Sequence, residues 1–240
     1  MPNTGTIEAI ERAKTYPFRQ PVCSYIFTHD HEHLLEGDPD RWEVDVTNLT
    51  PILGYGSNPS PVALAHKFAS VPEVKIPVIS FELDGFDAVY SSHVSSGYVP
   101  ATLAPSPGTT FHGFMTYLTD EEMAIMDRSE SRGENYELRP IASATGHFED
   151  GTFQEGIQTY VSLHGTIEVD GQSVAVEGTR ASGRSFPVLS QAEMMARAID
   201  VFAPRTDSDL AIGRMLASRD QQRTWTASLK NSALSRVPVL

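Results

Sequence analysis

Between Leu49 and about Val161 the sequence consists of short runs of β-branched and aromatic residues, and glycine or proline separates each run from the next. Runs of this kind are typical of strands that are joined by turns. We therefore expect a sheet-rich core whose strands are Pro77 to Leu83, Ala88 to Tyr90, Ala101 to Ala104, Phe111 to Leu118, Tyr136 to Ala144 and Phe153 to Val161.

Two helices are predicted to interrupt these strands. Ser60 followed by Pro61 supplies an N-cap residue and a proline at the first helical position. Thr119 with Glu122 three residues later forms a capping box, and the helix that it starts is expected to end near Glu130.

The segments on either side of this core have different patterns. Residues 6–15 carry apolar side chains at helical spacing, which predicts an amphipathic helix, and residues 17–48 are expected to form an irregular arm. The dipeptide Asp170-Gly171 predicts a tight hairpin. We divide the chain into a helix and arm (1–48), a core (49–165) and a hairpin with a helical extension packed on that core (166–240).

The helical extension is predicted from two further capping boxes. Ser190 with Glu193 precedes one apolar helical pattern, and Thr206 with Asp209 precedes a second, which runs through residues 210–225 as one helix. These helices are interpreted as added core or as the surface of a homo-oligomer.

The charge balance indicates the class of partner. The chain has 18 basic and 31 acidic side chains, a formal net charge of -13, which argues against nucleic acid or an anionic membrane as the main partner and favours a small molecule. Cys23 is the only cysteine, so an intramolecular disulfide is impossible. Because no apolar run has the length of a signal peptide or a membrane span, we expect a cytoplasmic protein.

The segment PILGYGSNPSP, residues 51–61, places small residues directly after a predicted strand and before a predicted helix. Such a turn can direct several backbone N–H groups at one point and form a cradle for an anion. Since the spacing is neither that of a P-loop nor that of a dinucleotide-binding fingerprint, phosphate is not specifically indicated.

Four motifs in order resemble those of the γ-glutamylcyclotransferase-like family. They are Tyr55-Gly56-Ser57-Asn58, the stretch GYVPATLAPSPG at 97–108, the stretch FHGFMTYLT at 111–119, and Met126-Asp127-Arg128-Ser129-Glu130 with Tyr136 six residues later. The resemblance covers about residues 50 to 145. It implies an α+β fold that consists of a small mixed β-barrel flanked by helices. The N-terminal arm and the C-terminal helical extension would be additions to this barrel.

The resemblance also implies a site and a reaction. The loop Tyr55, Gly56, Ser57 and Asn58 would bind an amino-acid-like substrate, and Glu130 would act as general acid and base. The substrate's own α-amine would attack its γ-carbonyl and release 5-oxoproline and an amine, which requires no metal, cofactor or covalent nucleophile. Tyr136 would close the pocket.

This chain departs from the family pattern at two positions of the fourth motif. Met126 replaces the usual leucine, and Ser131 replaces a frequent glycine.

Other interpretations remain open. The same fold could bind or tailor a metabolite without this chemistry, because fold does not determine function. His29, His31 and His33 alternate in sequence and could bind a metal, although no partner cluster is recognisable, so a solvated loop is the preferred interpretation. His93 and His112 lie beside the matched motifs as candidate substrate contacts. A serine hydrolase is disfavoured because the sequence has no Gly-x-Ser-x-Gly elbow.

Overall fold

A computed structural model describes residues 4–36, 44–141 and 144–236, and these residues form six helices and fifteen strands. The helices are α1 (Thr4–Lys14), α2 (Pro61–Lys67), α3 (Asp120–Ser129), α4 (Gln191–Phe202), α5 (Ser208–Ala217) and α6 (Arg219–Lys230). The strands are β1 (Tyr25–Phe27), β2 (Glu32–Leu34), β3 (Thr50–Gly54), β4 (Ile76–Tyr90), β5 (Ala101–Leu118), β6 (Tyr136–Pro140), β7 (Gly146–Phe148), β8 (Phe153–Gln154), β9 (Gln158–Ser162), β10 (Thr166–Val169), β11 (Gln172–Ser173), β12 (Ala175–Val176), β13 (Arg180–Ser182), β14 (Val188–Leu189) and β15 (Ser235–Arg236).

The centre of the protein is an antiparallel hairpin of β4 and β5, which pair from Val78 opposite Thr116 to Tyr90 opposite Ala101. The sequence predicted two short strands in place of each of these. The register shifts between Asp84 and Phe86, where Gly85 has a φ of +79°. A glycine in this conformation accommodates a β-bulge, so the feature that suggested a strand end lets one strand continue.

The main sheet has the strand order β14-β12-β4-β5-β3-β9-β6. Three shorter strands, β1, β7 and β13, pair with members of this row, while β2 pairs with β1 and β8 pairs with β7. The β3–β9 and β12–β14 pairs are parallel and the other pairs along the row are antiparallel. A separate sheet has the order β11-β10-β15. The α+β fold class is therefore confirmed.

The sheet does not close into the β-barrel that the family resemblance implies. A sheet closes into a barrel when its two end strands pair with each other. Within the described part of the chain, the end strands β14 and β6 do not pair with each other, and no strand pairs with both. β12, from the C-terminal third of the chain, pairs with the end of β4, where Ala175 lies opposite Val89, and β14 pairs with β12 in turn. The segment that the family resemblance does not cover thus extends the sheet.

Most of the predicted helix starts are confirmed. α1 forms where the amphipathic pattern predicts it. Thr119 and Ser190 each form a complete capping box, at the starts of α3 and α4. Ser60 is the N-cap residue of α2, although its hydroxyl makes no capping hydrogen bond.

The second C-terminal helix differs from its prediction. Asp207, and not Thr206, caps α5, because its carboxylate accepts hydrogen bonds from the backbone N–H groups of Asp209 and Leu210. Ser218 then ends α5 and caps α6, so the single helix predicted over 210–225 is two helices. The extension contains three helices.

The hairpin at Asp170-Gly171 is confirmed, since both residues have a positive φ and join β10 to β11. In the arm, expected to be irregular, β1 pairs with β4 and with β2. None of the helices in the described residues is long and apolar enough to span a membrane. The division into domains stays a prediction.

Candidate active site

The loop and the acid that the sequence singled out line one pocket. Its cavity is about 60 Å³. All six residues proposed for the site contribute to the wall, namely Tyr55, Gly56, Ser57, Asn58, Glu130 and Tyr136. The structure therefore brings together residues that lie up to 81 positions apart in the sequence. What each residue does there stays a prediction.

Glu130 reaches this pocket because of its place on α3. It is the C-cap residue, directly after the last helical turn, and 13% of its side chain is exposed. One turn earlier, Met126 is 1% exposed and anchors the helix in the core. A carboxylate at the C-terminal end of a helix faces the negative end of the helix dipole, so it needs a compensating cation or exposure to water.

Lys67, the last residue of α2, is that cation. Its Nζ lies 2.5 Å from Glu130 Oε1 and 2.5 Å from Asn58 Oδ1, with Met126 Sδ at 3.3 Å. An ammonium group has three donors, and these three acceptors use all of them. Only 12% of the lysine side chain is exposed, so the ion pair is largely removed from water.

The loop that follows β3 is held in place from the N-terminal segment. Gln20 Nε2 donates to the carbonyl of Gly56 at 3.2 Å. A side chain at position 56 would meet Tyr16 Oη at 2.7 Å, so a glycine is needed there. In the described part of the chain, no hydrogen-bond acceptor is found for the backbone N–H groups of Gly56, Ser57 and Asn58. These three N–H groups are therefore candidate donors to a ligand in the pocket.

The rest of the pocket wall is rich in tyrosine. The hydroxyl of Tyr55 donates to the carbonyl of Tyr160, and the hydroxyl of Tyr136 donates to the carbonyl of Ala101 at 2.8 Å. Both groups are thus already engaged. Burial, and then the nearby charge of Glu130, raises the pKa of Tyr55, and the same two causes raise the pKa of Tyr98 to about 12. These side chains are therefore uncharged wall groups at neutral pH.

Asp127, from the same motif as Glu130, has a structural contact. Its Oδ1 accepts a hydrogen bond from the hydroxyl of Tyr160 at 2.7 Å, and its Oδ2 lies 3.1 Å from Arg132 Nη1. The end of α3 is in this way attached to β9. This attachment helps to fix where the helix ends and so where Glu130 lies.

Two larger hollows share walls with the pocket. One, of about 240 Å³, is also lined by Ser57, Lys67 and Tyr98. The other, of about 300 Å³, is lined by Ser129 and Asn135 from the pocket and by residues of α6. The C-terminal extension therefore forms part of the surroundings of the site.

The histidines that the sequence raised lie elsewhere. His93 is fully buried behind Tyr136, with ring centres 5.3 Å apart, and His112 pairs with Glu82 on the sheet at 2.9 Å. Neither belongs to the pocket wall. The rings of His31 and His33 stack at 5.8 Å. Across residues 4–36, 44–141 and 144–236, no group of three His, Cys, Asp or Glu side chains is placed to hold a metal ion.

Sequence reasoning missed several wall residues, of which Lys67 is the most consequential. The others include Tyr16, Tyr98, Asn135 and Tyr160. A lysine in the last turn of a helix is common, because it stabilises the helix dipole. The sequence therefore gave no signal that Lys67 meets an acid 63 residues later.

No family model matches the chain, and neither does any curated protein. Solved structures similar to it include a solution structure from Arabidopsis thaliana, at 21% identity over 51% of this chain and 74% of that one, with a TM-score of 0.38. An uncharacterised protein from Homo sapiens is similar at 13% identity over 80% of this chain and 95% of that one, with a TM-score of 0.40.

A third similar structure is a γ-glutamyl cyclotransferase, at 15% identity over 47% of this chain and 66% of that one, with a TM-score of 0.39. At these identities and TM-scores the comparisons assign neither an activity nor a substrate to the chain. One of the similar structures does carry the name of the family that the sequence motifs resemble.

Proposed function

We propose that the protein cleaves a γ-glutamyl amide by intramolecular cyclisation and releases 5-oxoproline and an amine. The observation that carries the proposal is the position of Glu130, whose largely buried carboxylate lines the same small pocket as the Tyr55–Asn58 loop. A single acid beside a set of free N–H donors is what this reaction requires.

The chemistry follows from a tethered nucleophile. The substrate's α-amine attacks its own γ-carbonyl, the new C–N bond closes a five-membered ring, and the old amide C–N bond breaks. Since both reacting groups belong to one molecule, holding it in a folded conformation supplies much of the entropic advantage of the reaction.

Glu130 performs the proton transfers. Its carboxylate accepts a proton from the substrate ammonium, which makes the amine a nucleophile, and then returns a proton to the departing amine. General acid-base catalysis of this kind contributes typically about 10²- to 10⁴-fold in rate. The free N–H groups of the loop stabilise negative charge, on either the carbonyl oxygen or the substrate carboxylate.

The substrate needs more room than the pocket provides. Its volume of about 60 Å³ is well below the roughly 300–1,000 Å³ of ordinary small-molecule pockets. Binding must therefore move side chains, and the two adjoining hollows provide space for this movement and for the leaving amine.

The proposal is tested by incubating the purified protein with a panel of γ-glutamyl amides, including γ-glutamyl amines and γ-glutamyl amino acids, and identifying 5-oxoproline by mass. We expect product from at least one member, formed about 10²- to 10⁴-fold more slowly by the Glu130→Gln variant. Glu121→Gln is the matched control, because Glu121 is exposed at the other end of the same helix.

Two outcomes would contradict the proposal. If no panel member gives 5-oxoproline, the protein is better explained as one that binds or tailors a metabolite without this reaction. If the Glu130→Gln variant forms product as fast as the wild type, the pocket is not where the reaction occurs.

A further inference from the structure

Lys67 forms an ion pair with Glu130 in the wall of the candidate site, and the proton transfers described above give this lysine no role. Nζ of Lys67 lies 2.5 Å from Glu130 Oε1, and the two side chains are 12% and 13% exposed. Buried ion pairs are rarely justified by stability alone, since the cost of removing both charges from water offsets much of their attraction. We therefore look for a function of this ion pair in substrate binding.

We propose that Lys67 binds the α-carboxylate of the substrate, so that the ion pair opens to receive a zwitterionic α-amino acid head. This inference rests on the proposed function and names the residue that selects its substrates. The substrate ammonium takes the place of Lys67 beside Glu130, and the substrate carboxylate becomes the new partner of Lys67.

The charges of this exchange balance. Before binding, one cation and one anion of the protein neutralise each other in a largely buried place. After binding, each is neutralised by the opposite charge of the zwitterion, so no buried charge is left alone. A ligand with the ammonium but no carboxylate would leave Lys67 without a partner, and an unpaired buried charge is strongly unfavourable.

The surroundings of Lys67 allow the movement that this exchange requires. Its side chain borders the pocket and also the neighbouring hollow of about 240 Å³. Its contacts to Asn58 and Met126 involve uncharged acceptors, which a carboxylate can replace. With the carboxylate held by Lys67, the free N–H groups of Gly56, Ser57 and Asn58 remain for the carbonyl oxygen as it becomes negative.

The test compares two compounds that differ only in this carboxylate. One is an N-alkyl γ-glutamyl amide, and the other is the 4-aminobutanoyl amide of the same amine, which can close the same five-membered lactam ring. Because hydrogen bonds between charged groups are the strong ones, we expect wild-type kcat/KM to favour the first compound by about 10- to 100-fold. Lys67→Met should reduce that preference to within a few fold, and Lys67→Arg should keep part of it.

A binding measurement tests this inference separately from the proposed function. It does not use Lys67→Met alone, because that variant leaves the Glu130 carboxylate without its partner. Calorimetric titration of both compounds is done with Glu130→Gln, which keeps Lys67, and with the double variant Glu130→Gln/Lys67→Met. We expect Glu130→Gln to bind the carboxylate-bearing compound at least tenfold more tightly, and the double variant to lose this difference.

The outcomes are distinct. Lactam formation from neither compound, together with a lysine-dependent difference in affinity, would contradict the proposed function and support the carboxylate site. Equal affinities in Glu130→Gln, or no binding of either compound, would overturn the inference. So would an equal loss of kcat/KM for both compounds in Lys67→Met, because that result assigns Lys67 to the positioning of Glu130 alone.

Discussion

The packing around Gly56 leaves no room for a side chain. A methyl group there would lie 2.7 Å from Tyr16 Oη, and Tyr16 is fixed because it accepts a hydrogen bond from Ala101 N and stacks on Tyr98. We expect Gly56→Ala to lower the free energy of unfolding by about 1–3 kcal/mol, the usual cost of overpacking, measured by urea denaturation.

Gly213 in α5 is the matched control for this substitution. A methyl group at position 213 would lie 3.7 Å from Ile10 Cδ1, an ordinary contact. Gly213→Ala should stabilise the helix by up to about 1 kcal/mol. Equal effects of the two substitutions would contradict the packing described for the loop.

A buried histidine, His93, and a half-buried one, His164, lie beside the site and predict how stability depends on pH. Burial, and then the charge of Lys230, lowers the pKa of His164 to about 4, and burial, then His164, lowers the pKa of His93 well below its ordinary value. In the unfolded chain both imidazoles take up a proton near pH 6.5. Between pH 6.5 and about 4 the unfolded state therefore binds more protons than the folded state.

The free energy of unfolding must consequently fall as the pH is lowered through this window, by up to about 1.4 kcal/mol per pH unit for each histidine. Urea denaturation at pH 7 and pH 5 measures it. In His93→Gln the dependence should be clearly weaker than in the wild type. An unchanged dependence in His93→Gln would show that His93 is not kept neutral by the fold.

At the scale of single elements, two helix starts that look alike in sequence behave differently. Thr119 Oγ1 accepts a hydrogen bond from the backbone N–H of Glu122, while Ser60 Oγ is buried and has no hydrogen-bond partner among the described residues. We expect Thr119→Ala to lower the free energy of unfolding by about 1 kcal/mol. Ser60→Ala should leave it unchanged or raise it, because the buried hydroxyl gains no hydrogen bond. Comparable losses in the two variants would contradict the assigned caps.

The same comparison shows what sequence can predict about elements. Capping boxes depend on residues three positions apart, so Thr119 and Ser190 could be recognised directly. Ser218 with Gln221 has the same spacing, and the Ser218 hydroxyl accepts a hydrogen bond from the backbone N–H of Gln221, so the break there could also have been recognised. Gly85 suggested the end of a strand, yet pairing with β5 carries β4 through a bulge at that point. Contacts distant in sequence decided the course of β4 but not the start of α6.

At the scale of the whole molecule, the site was predictable only in part. The loop and Glu130 could be found because each belongs to a short motif whose order along the chain is informative. Lys67 and the tyrosine wall depend on how α2, α3 and the N-terminal segment pack together, which no local pattern records. The open sheet could not be foreseen either, because strands outside the matched segment complete it.

Because β12 and β14, from the C-terminal segment, belong to the main sheet, we predict that residues 1–165 do not fold alone. Removing the C-terminal segment exposes the edge of β4 that pairs with β12, and it deletes buried residues such as Ile212 and Trp225. An unpaired sheet edge favours association with other chains. Size-exclusion chromatography should show aggregates, and thermal melting should show no cooperative transition. A monomeric fragment that melts like the intact chain would contradict this account.

The central claim is that Glu130 transfers protons in the pocket, and its rate contribution is the most direct test. For the panel member that the wild type cleaves fastest, kcat for 5-oxoproline release is measured in wild type and in Glu130→Gln at saturating substrate, with circular dichroism to check that both are folded. We predict that the substitution lowers kcat by about 10²- to 10⁴-fold. A folded Glu130→Gln variant with kcat close to that of the wild type would contradict the claim.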